Sequence, residues 1–179
     1  MIRIFKSVLK ESLFKLLHPH VLLKGSINAP LSVETYQANG GTIEIGNGVT
    51  FQKGVRLSAP GGKIVIGEKT TINRNNMIIC REEVRVGKEC AFGPNVLIYD
   101  HDHRFDSNGF AWDEFRTSSV IIEDGCWVGA NAIILRGTHI GKGSVIGACS
   151  VVKGIIPPHS LVTANRDLQI QPIEKRDDN

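Results

Sequence analysis

The sequence predicts an all-β fold, a parallel β-helix of about five to six triangular coils, on three observations. An aliphatic residue returns at every sixth position: Ile122, Val128, Ile134, Ile140, Ile146 and Val152. Small residues follow in phase, with Gly129, Gly141 and Gly147 one place later and Cys126, Ala132, Thr138, Ser144 and Ser150 four places later. The same phase recurs upstream in blocks: Ile45, Phe51 and Leu57, then Ile66, Ile72 and Ile78, then Val86, Phe92 and Ile98.

A step of six is neither the helical 3.6 nor the plain strand period of 2, so it marks a repeat. Six extended residues span about 20 Å, and one inward side chain per step suits a wall that runs straight and then bends. Three walls close a coil, and stacked coils bury a core that no single coil could bury alone. The small residue after each aliphatic suits the bend, where a Cβ would collide or φ must turn positive.

Residues 1–24 form a separate amphipathic helical segment. Phe5, Val8, Leu9, Leu13, Leu16 and Leu17 recur at helical spacing between Lys6, Lys10 and Lys15. Lysines interrupt the apolar stretch too often for a signal peptide or a membrane span. The expectation is a helix packed on the prism or on a neighbouring subunit. Arg3, Lys6, Lys10, Lys15 and Lys24 against Glu11 would also permit peripheral contact with anionic lipid at the inner face of the membrane.

The β-helix domain is expected over 25–168 and a polar tail over 169–179. Each block of coils opens with an alternating tripeptide, Ile43-Glu44-Ile45, Ile64-Val65-Ile66, Val84-Arg85-Val86 and Val120-Ile121-Ile122. The steps from 45 to 66 and from 66 to 86 are near the ideal three sixes, the small excess fitting corner insertions such as Pro60-Gly61-Gly62. The step from 86 to 122 leaves 18 residues beyond one coil, and they fall at about 99–119. There the chain leaves the prism in a long excursion loop.

The net charge of +3 implies no polyanionic partner, and no Lys/Arg run resembles a nucleic-acid patch. Cysteines 80, 90, 126 and 149 lack metal-ligand spacing. Cys90 and Cys126 sit where other coils carry Ala, Ser or Thr, so they are expected as buried small residues in a reducing, cytoplasmic compartment.

The excursion opens Tyr99-Asp100-His101-Asp102-His103-Arg104-Phe105-Asp106, two of the six histidines and three aspartates within eight residues. His18, His20, His139 and His159 are scattered and are expected to be exposed structural residues. An imidazole with a pKa near 6.5 suits proton abstraction from a hydroxyl or amine. It needs a carboxylate or carbonyl to hold one tautomer, and Asp100, Asp102 and Asp106 are at hand. In extended chain His101 and His103 point one way and Asp100 and Asp102 the other, which makes Asp102 a poor direct partner for His103. No Ser or Cys nucleophile lies near the pair in sequence, so direct attack by the acceptor is favoured over a covalent intermediate.

These residues resemble the left-handed β-helix hexapeptide-repeat acyltransferases over about 43–163, above all the sugar O-acetyltransferase branch with the maltose, galactoside and polysaccharide-modifying enzymes. The motifs are Phe92-Gly-Pro-Asn-Val-Leu, Gly125-Cys-Trp-Val-Gly-Ala-Asn-Ala-Ile-Ile-Leu, Ile140-Gly-Lys-Gly-Ser-Val-Ile-Gly-Ala and Ile156-Pro-Pro-His. The resemblance supplies the left hand, which periodicity does not, and it implies a homotrimer with active sites between subunits. It implies a base seven residues after the Asn-Val segment, which is His103, with His101 the second choice. Asp100, Asp102, Arg104, Phe105, Asp106, Trp112 and Phe115 then bound the pocket for a sugar or glycan acceptor, with Asn73 or Asn75 on the preceding coil. The implied donor is acetyl-CoA, its pantetheine arm passing Trp127, Gly129, Ala130, Gly147 and Ala148.

The nucleotide end departs from the pattern. Lys153-Gly154-Ile155-Ile156-Pro157-Pro158 stands where relatives carry Thr-Lys-Asp-Ile-Pro-Pro, which leaves Lys153 and Arg166 as the phosphate-binding side chains. The expected reaction is acetyl transfer from acetyl-CoA to a sugar hydroxyl. The rivals are N-acetylation of a nucleotide-linked amino sugar and a non-catalytic β-helix binding protein. A zinc site is not expected, because His101 and His103 lack a third ligand.

Overall fold

The computed structural model describes residues 11–107 and 109–164. The chain winds into a three-walled parallel β-helix whose strands pair only with the strands of the coils above and below. The first wall has seven strands, Leu22–Leu23, Thr42–Ile45, Lys63–Ile66, Glu83–Val86, Val120–Ile122, His139–Ile140 and Ile155–Ile156. The second has six, from Thr50–Phe51 to Leu161–Val162, and the third has six, from Glu34–Ala38 to Val151–Val152.

Each six-residue step fills one wall position. Every aliphatic or aromatic of the period, from Ile45 to Val152, is at most 3% exposed. Burial of each such side chain contributes about 1.5–3 kcal/mol relative to exposure. Cys126, Ala132, Thr138, Ser144 and Ser150 are buried as well, and Cys90 with them. At three of the polar positions the side chain turns back to the main chain: Thr70 Oγ1 donates to the Gly87 carbonyl at 2.9 Å, Thr138 Oγ1 to that of Leu135 at 2.6 Å and Ser144 Oγ to that of Pro157 at 2.9 Å, whereas Ser150 Oγ is buried without a partner among the described residues. No disulfide joins the four cysteines.

The corners turn through left-handed backbone. Between the second and third walls the column runs Gly54, Asn75, Asn95, Asn131 and Cys149, with φ of 57° to 60° at its four non-glycine members. Asparagine tolerates this region better than most residues. Asn95 Nδ2 donates to Asn131 Oδ1 at 3.1 Å, linking consecutive coils at that corner.

Two boundaries differ from the sequence expectation. Among the described residues the helix runs to 17 and stops before Pro19, and Leu22–Leu23 already pairs with Glu44–Ile45 as wall strand, so the prism begins before residue 25. The side chain that pins the helix is Phe14, 1% exposed, whereas Leu16 and Leu17 of the expected stripe face outward at 74% and 53%. Residues 1–10 and the tail from 165 lie outside the described residues. No helix among the described residues is long and apolar enough to cross a membrane.

The excursion is an ordered arm rather than a loop. His101–Asp106 runs out and Gly109–Thr117 returns as its antiparallel partner, with a register shift between His103 and Phe105. The arm leaves from the corner between the third and first walls. Its root is closed by Ser118 N donating to the Asp100 carbonyl at 2.8 Å and by Gly137 N donating to the Ser118 carbonyl at 2.9 Å.

Candidate functional site

The root of the arm is organised around one buried carboxylate. Asp100 is 0% exposed and accepts from Arg81 N at 2.8 and 3.0 Å, Glu82 N at 2.7 Å and Cys80 Sγ at 3.2 Å. Its Oδ1 also lies 2.9 Å from His101 Nδ1. Burial pushes the Asp100 carboxyl up, but the hydrogen bonds from His101, Arg81 N and Glu82 N outweigh it and hold the group below the usual carboxylate range. An ionised Asp100 can only accept, so His101 carries its proton on Nδ1.

His103 stands two residues further along the same face. Its Nδ1 lies 3.1 Å from the carbonyl of Ala111 on the return strand, and a carbonyl can only accept. Nδ1 is therefore the donor, and in the neutral ring Nε2 carries the free lone pair. Three aromatics of the return strand crowd the ring, with centroids at 4.6 Å for Phe115, 5.7 Å for Phe110 and 6.2 Å for Trp112. Phe115 also meets the His101 ring, at 5.5 Å. The His101 side chain is only 11% exposed, whereas His103 is open to solvent.

The alternation expected of extended chain holds for Asp102 but not for Asp100, whose carboxylate turns to His101. Asp102 points away from both imidazoles and pairs with Nε of Arg136 on the following coil. Arg104 pairs with Glu114 across the arm at 3.0 Å. An open cavity of about 400 Å³ lies beside that pair, lined by Phe105, Asp106, Gly109, Phe110 and Ala111 as well. Cys80, distant in sequence, comes directly beneath Asp100. Burial, reinforced by the neighbouring Asp100 charge, pushes its thiol far up, so it is a protonated donor and no nucleophile. No group of three or more His, Cys, Asp or Glu side chains among the described residues could hold a metal ion.

The remaining residues singled out by sequence do not join the arm within one chain. Gly129, Ala130, Gly147 and Ala148 line the opposite corner, between the second and third walls, and Trp127 projects from the second wall at 56% exposure. Gly129 has a packing reason of its own: a Cβ there would lie 2.6 Å from Ala148 N and 2.8 Å from the Ile146 carbonyl oxygen. Asn73 and Asn75 belong to that same corner. Asn73 Oδ1 accepts from Arg74 N at 2.8 Å and Asn75 takes a left-handed turn, φ 57°. Lys153 is exposed at the arm's corner, one coil above Arg136, and Arg166 lies outside the described residues.

Arg81, Phe110 and Arg136 were not found from the sequence. Phe110 could have been, from the aromatic spacing Phe110, Trp112, Phe115 on a returning strand. Arg136 follows only once the third-wall register is known, Leu97 to Ile133 and Ile98 to Ile134.

The bacterial transferase hexapeptide (six repeats) family matches residues 119–154. The Escherichia coli protein WbbJ, whose name assigns it to lipopolysaccharide biosynthesis as an O-acetyl transferase, is 34% identical over 137 residues, 71% of this chain and 70% of its own length. A Mycobacterium tuberculosis protein named as an acetyltransferase is 30% identical over 151 residues, 83% of this chain; the chain spans half of that relative. A hexapeptide-repeat acetyltransferase of Vibrio cholerae is similar in structure, with 26% identity, a TM-score of 0.58 and coverage of 87% of this chain and 74% of its own. That Vibrio protein has also been solved with acetyl coenzyme A.

Proposed function

The chain belongs to the hexapeptide-repeat transferases, and from that premise we propose that it moves an acetyl group from acetyl-CoA to a hydroxyl of a sugar or polysaccharide precursor. The observation that carries the reading is the state of His103. The Ala111 carbonyl holds Nδ1–H at 3.1 Å, Nε2 is left basic, and the ring stands among Phe110, Trp112 and Phe115. Aromatic faces suit the apolar face of a pyranose, and a free Nε2 suits its hydroxyl. The names of WbbJ and of the mycobacterial and Vibrio relatives support acetyl as the group moved.

His103 Nε2 takes the proton of the acceptor hydroxyl, whose oxygen attacks the thioester carbonyl carbon. The C–S bond breaks as the tetrahedral adduct collapses, and the imidazolium returns its proton to the departing thiolate of CoA. Main-chain N–H groups are the natural stabilisers of the oxyanion in a prism whose corners are built from backbone. His101, shielded and fastened to Asp100, positions the arm beneath the base.

The donor corner and the arm lie on different edges of one prism. We infer that a site is completed by the arm of one subunit and the small-residue corner of its neighbour, in a homotrimer. A reducing, cytoplasmic compartment fits four cysteines without a disulfide.

The test is thiol release from acetyl-CoA across a panel of sugar acceptors. His103→Ala should lower the rate by about 10²–10⁴-fold, and His101→Ala by less. Near wild-type turnover in a folded His103→Ala protein would rule out the assignment.

A further inference from the structure

Arg81 is a cation beside the two imidazoles, and among the described residues no carboxylate pairs with its side chain. It sits at the corner of the coil before the arm, held there because its main-chain N–H donates to Asp100. The guanidinium carbon lies 3.4 Å from the centroid of Phe115, the ring that touches both His101 and His103. Arg81 Nε is buried and has no hydrogen-bond partner among the described residues.

Among the described residues, Arg56, Arg85, Arg104 and Arg136 each hold a carboxylate; Arg74 and Arg116 hold none, but only Arg81 has a buried guanidine nitrogen without a partner. Those nearest Arg81 are engaged elsewhere. Asp100 is taken by main-chain N–H groups, Cys80 and His101. Glu82 Oε1 accepts from Ser119 N at 3.2 Å and Ser119 Oγ at 2.7 Å. Hydrogen bonds from Thr117 and Ser119 hold the Glu82 carboxyl below its usual range, which marks it as an engaged anion. A partly desolvated guanidinium with no anion is unfavourable for folding alone. Held over an aromatic ring, a guanidinium can still capture a planar or tetrahedral anion through two N–H groups.

We propose that Arg81 binds an anionic group of the acceptor, a carboxylate or a phosphate, so that the acceptor is an acidic sugar whose hydroxyl is presented to His103. This deepens the acetyl-transfer reading and rests on it. Phe115 gives the contact its selectivity. It keeps the guanidinium beside the imidazoles, where the acceptor hydroxyl is deprotonated, and on that ground the anion is assigned to the acceptor.

Three probes test it: methyl β-D-glucuronide, glucose 6-phosphate and methyl β-D-glucoside. Each is measured by thiol release with acetyl-CoA and by equilibrium binding in the presence of CoA. The wild type should prefer at least one anionic probe over the neutral glucoside by about tenfold or more in kcat/KM. Arg81→Gln should collapse that ratio towards one, mainly through the acceptor KM, with the KM of acetyl-CoA moving less; Arg81→Lys should be intermediate. Whichever anionic probe loses more identifies carboxylate or phosphate as the group bound. Equal losses for all three probes would reduce Arg81 to a packing residue on Phe115. A change confined to the acetyl-CoA KM would give the anion to the donor. Each of these overturns the proposal, as does a wild type with no anionic preference. If no probe releases thiol, the transfer reading fails for these sugars, and the binding titration alone decides: an anionic preference lost in Arg81→Gln upholds the role, and its absence overturns it.

Discussion

His101 Nδ1 donates to Asp100 Oδ1 at 2.9 Å, so two adjacent residues form the ion-pair geometry often associated with an oriented base. Here the carboxylate does more than orient an imidazole. The same group takes the N–H of Arg81 and of Glu82 and the thiol of Cys80, and it ties the root of the arm to the coil beneath. The residue with the freer imidazole, His103, is instead oriented by a main-chain carbonyl. The acid near the histidines serves mainly as architecture.

Replacing Asp100 with Asn should therefore weaken the fold before it touches chemistry. An amide can accept fewer of these hydrogen bonds and brings a donor that points at other donors. The expected cost at pH 7 is about 1–3 kcal/mol by denaturant titration. The pH dependence has a definite sign. The folded pKa is depressed, so the contribution is complete above the unfolded value, about 3.9, and is lost as pH falls through the folded one. Wild-type stability should fall below about pH 4 more steeply than that of Asp100→Asn. Parallel curves from pH 7 to pH 2 would contradict this.

Asp102 and Arg136 hold the outer root of the arm to the following coil. The pair is half-exposed, and its direct worth is small, on the order of 0.5–1 kcal/mol. Its consequence for activity should be larger, because it sets the angle at which His103 is presented. Asp102→Asn and Arg136→Gln should each lower kcat/KM by about tenfold, and the double variant by little more than either alone. Additive losses would mean that the two residues act separately.

The glycines of the prism divide into two kinds. At Gly129 a Cβ would strike the backbone of the next coil, whereas Gly125 has φ 69° and nothing within 4 Å of the added atom. Gly125→Ala should cost only the local conformational strain, about 1 kcal/mol. Gly129→Ala forces coils apart and should cost about 1–3 kcal/mol or more. Thermal unfolding of the two variants separates them, and equal shifts would show that coil spacing is not the reason for Gly129.

Much of the prism was legible because burial imposes a period. Ile122 to Val152 each occupy the inward place on a wall, and nothing else in the chain competes for it. The interruption after Ile98 was legible for the same reason, as a lapse in a strict register. What escaped was whatever depends on contacts between coils. Arg81, Cys80 and Asp100 are 20 or fewer residues apart, yet they meet only because successive third corners stack, and Arg136 reaches Asp102 across 34 residues. The helix face was misjudged because Phe14 faces the prism, while helical spacing alone favoured Leu13, Leu16 and Leu17.

The separation of the two halves of the proposed site gives the most direct test of the assembly. His103 stands on the arm, while Ala148 lies at the opposite corner of the same prism. His103→Ala removes the proposed base from every site, and Ala148→Trp should block the proposed donor position at the small-residue corner. Each homo-oligomer should be nearly inactive in thiol release. If a site takes His103 from one subunit and Ala148 from its neighbour, randomly mixed oligomers of the two variants regain intact sites. Equal co-expression should restore about a quarter of wild-type activity. Mixing the two proteins after separate assembly, without subunit exchange, should restore none. No recovery in verified mixed oligomers would mean that each chain completes its own site, and the arm would then have to reach its own donor corner.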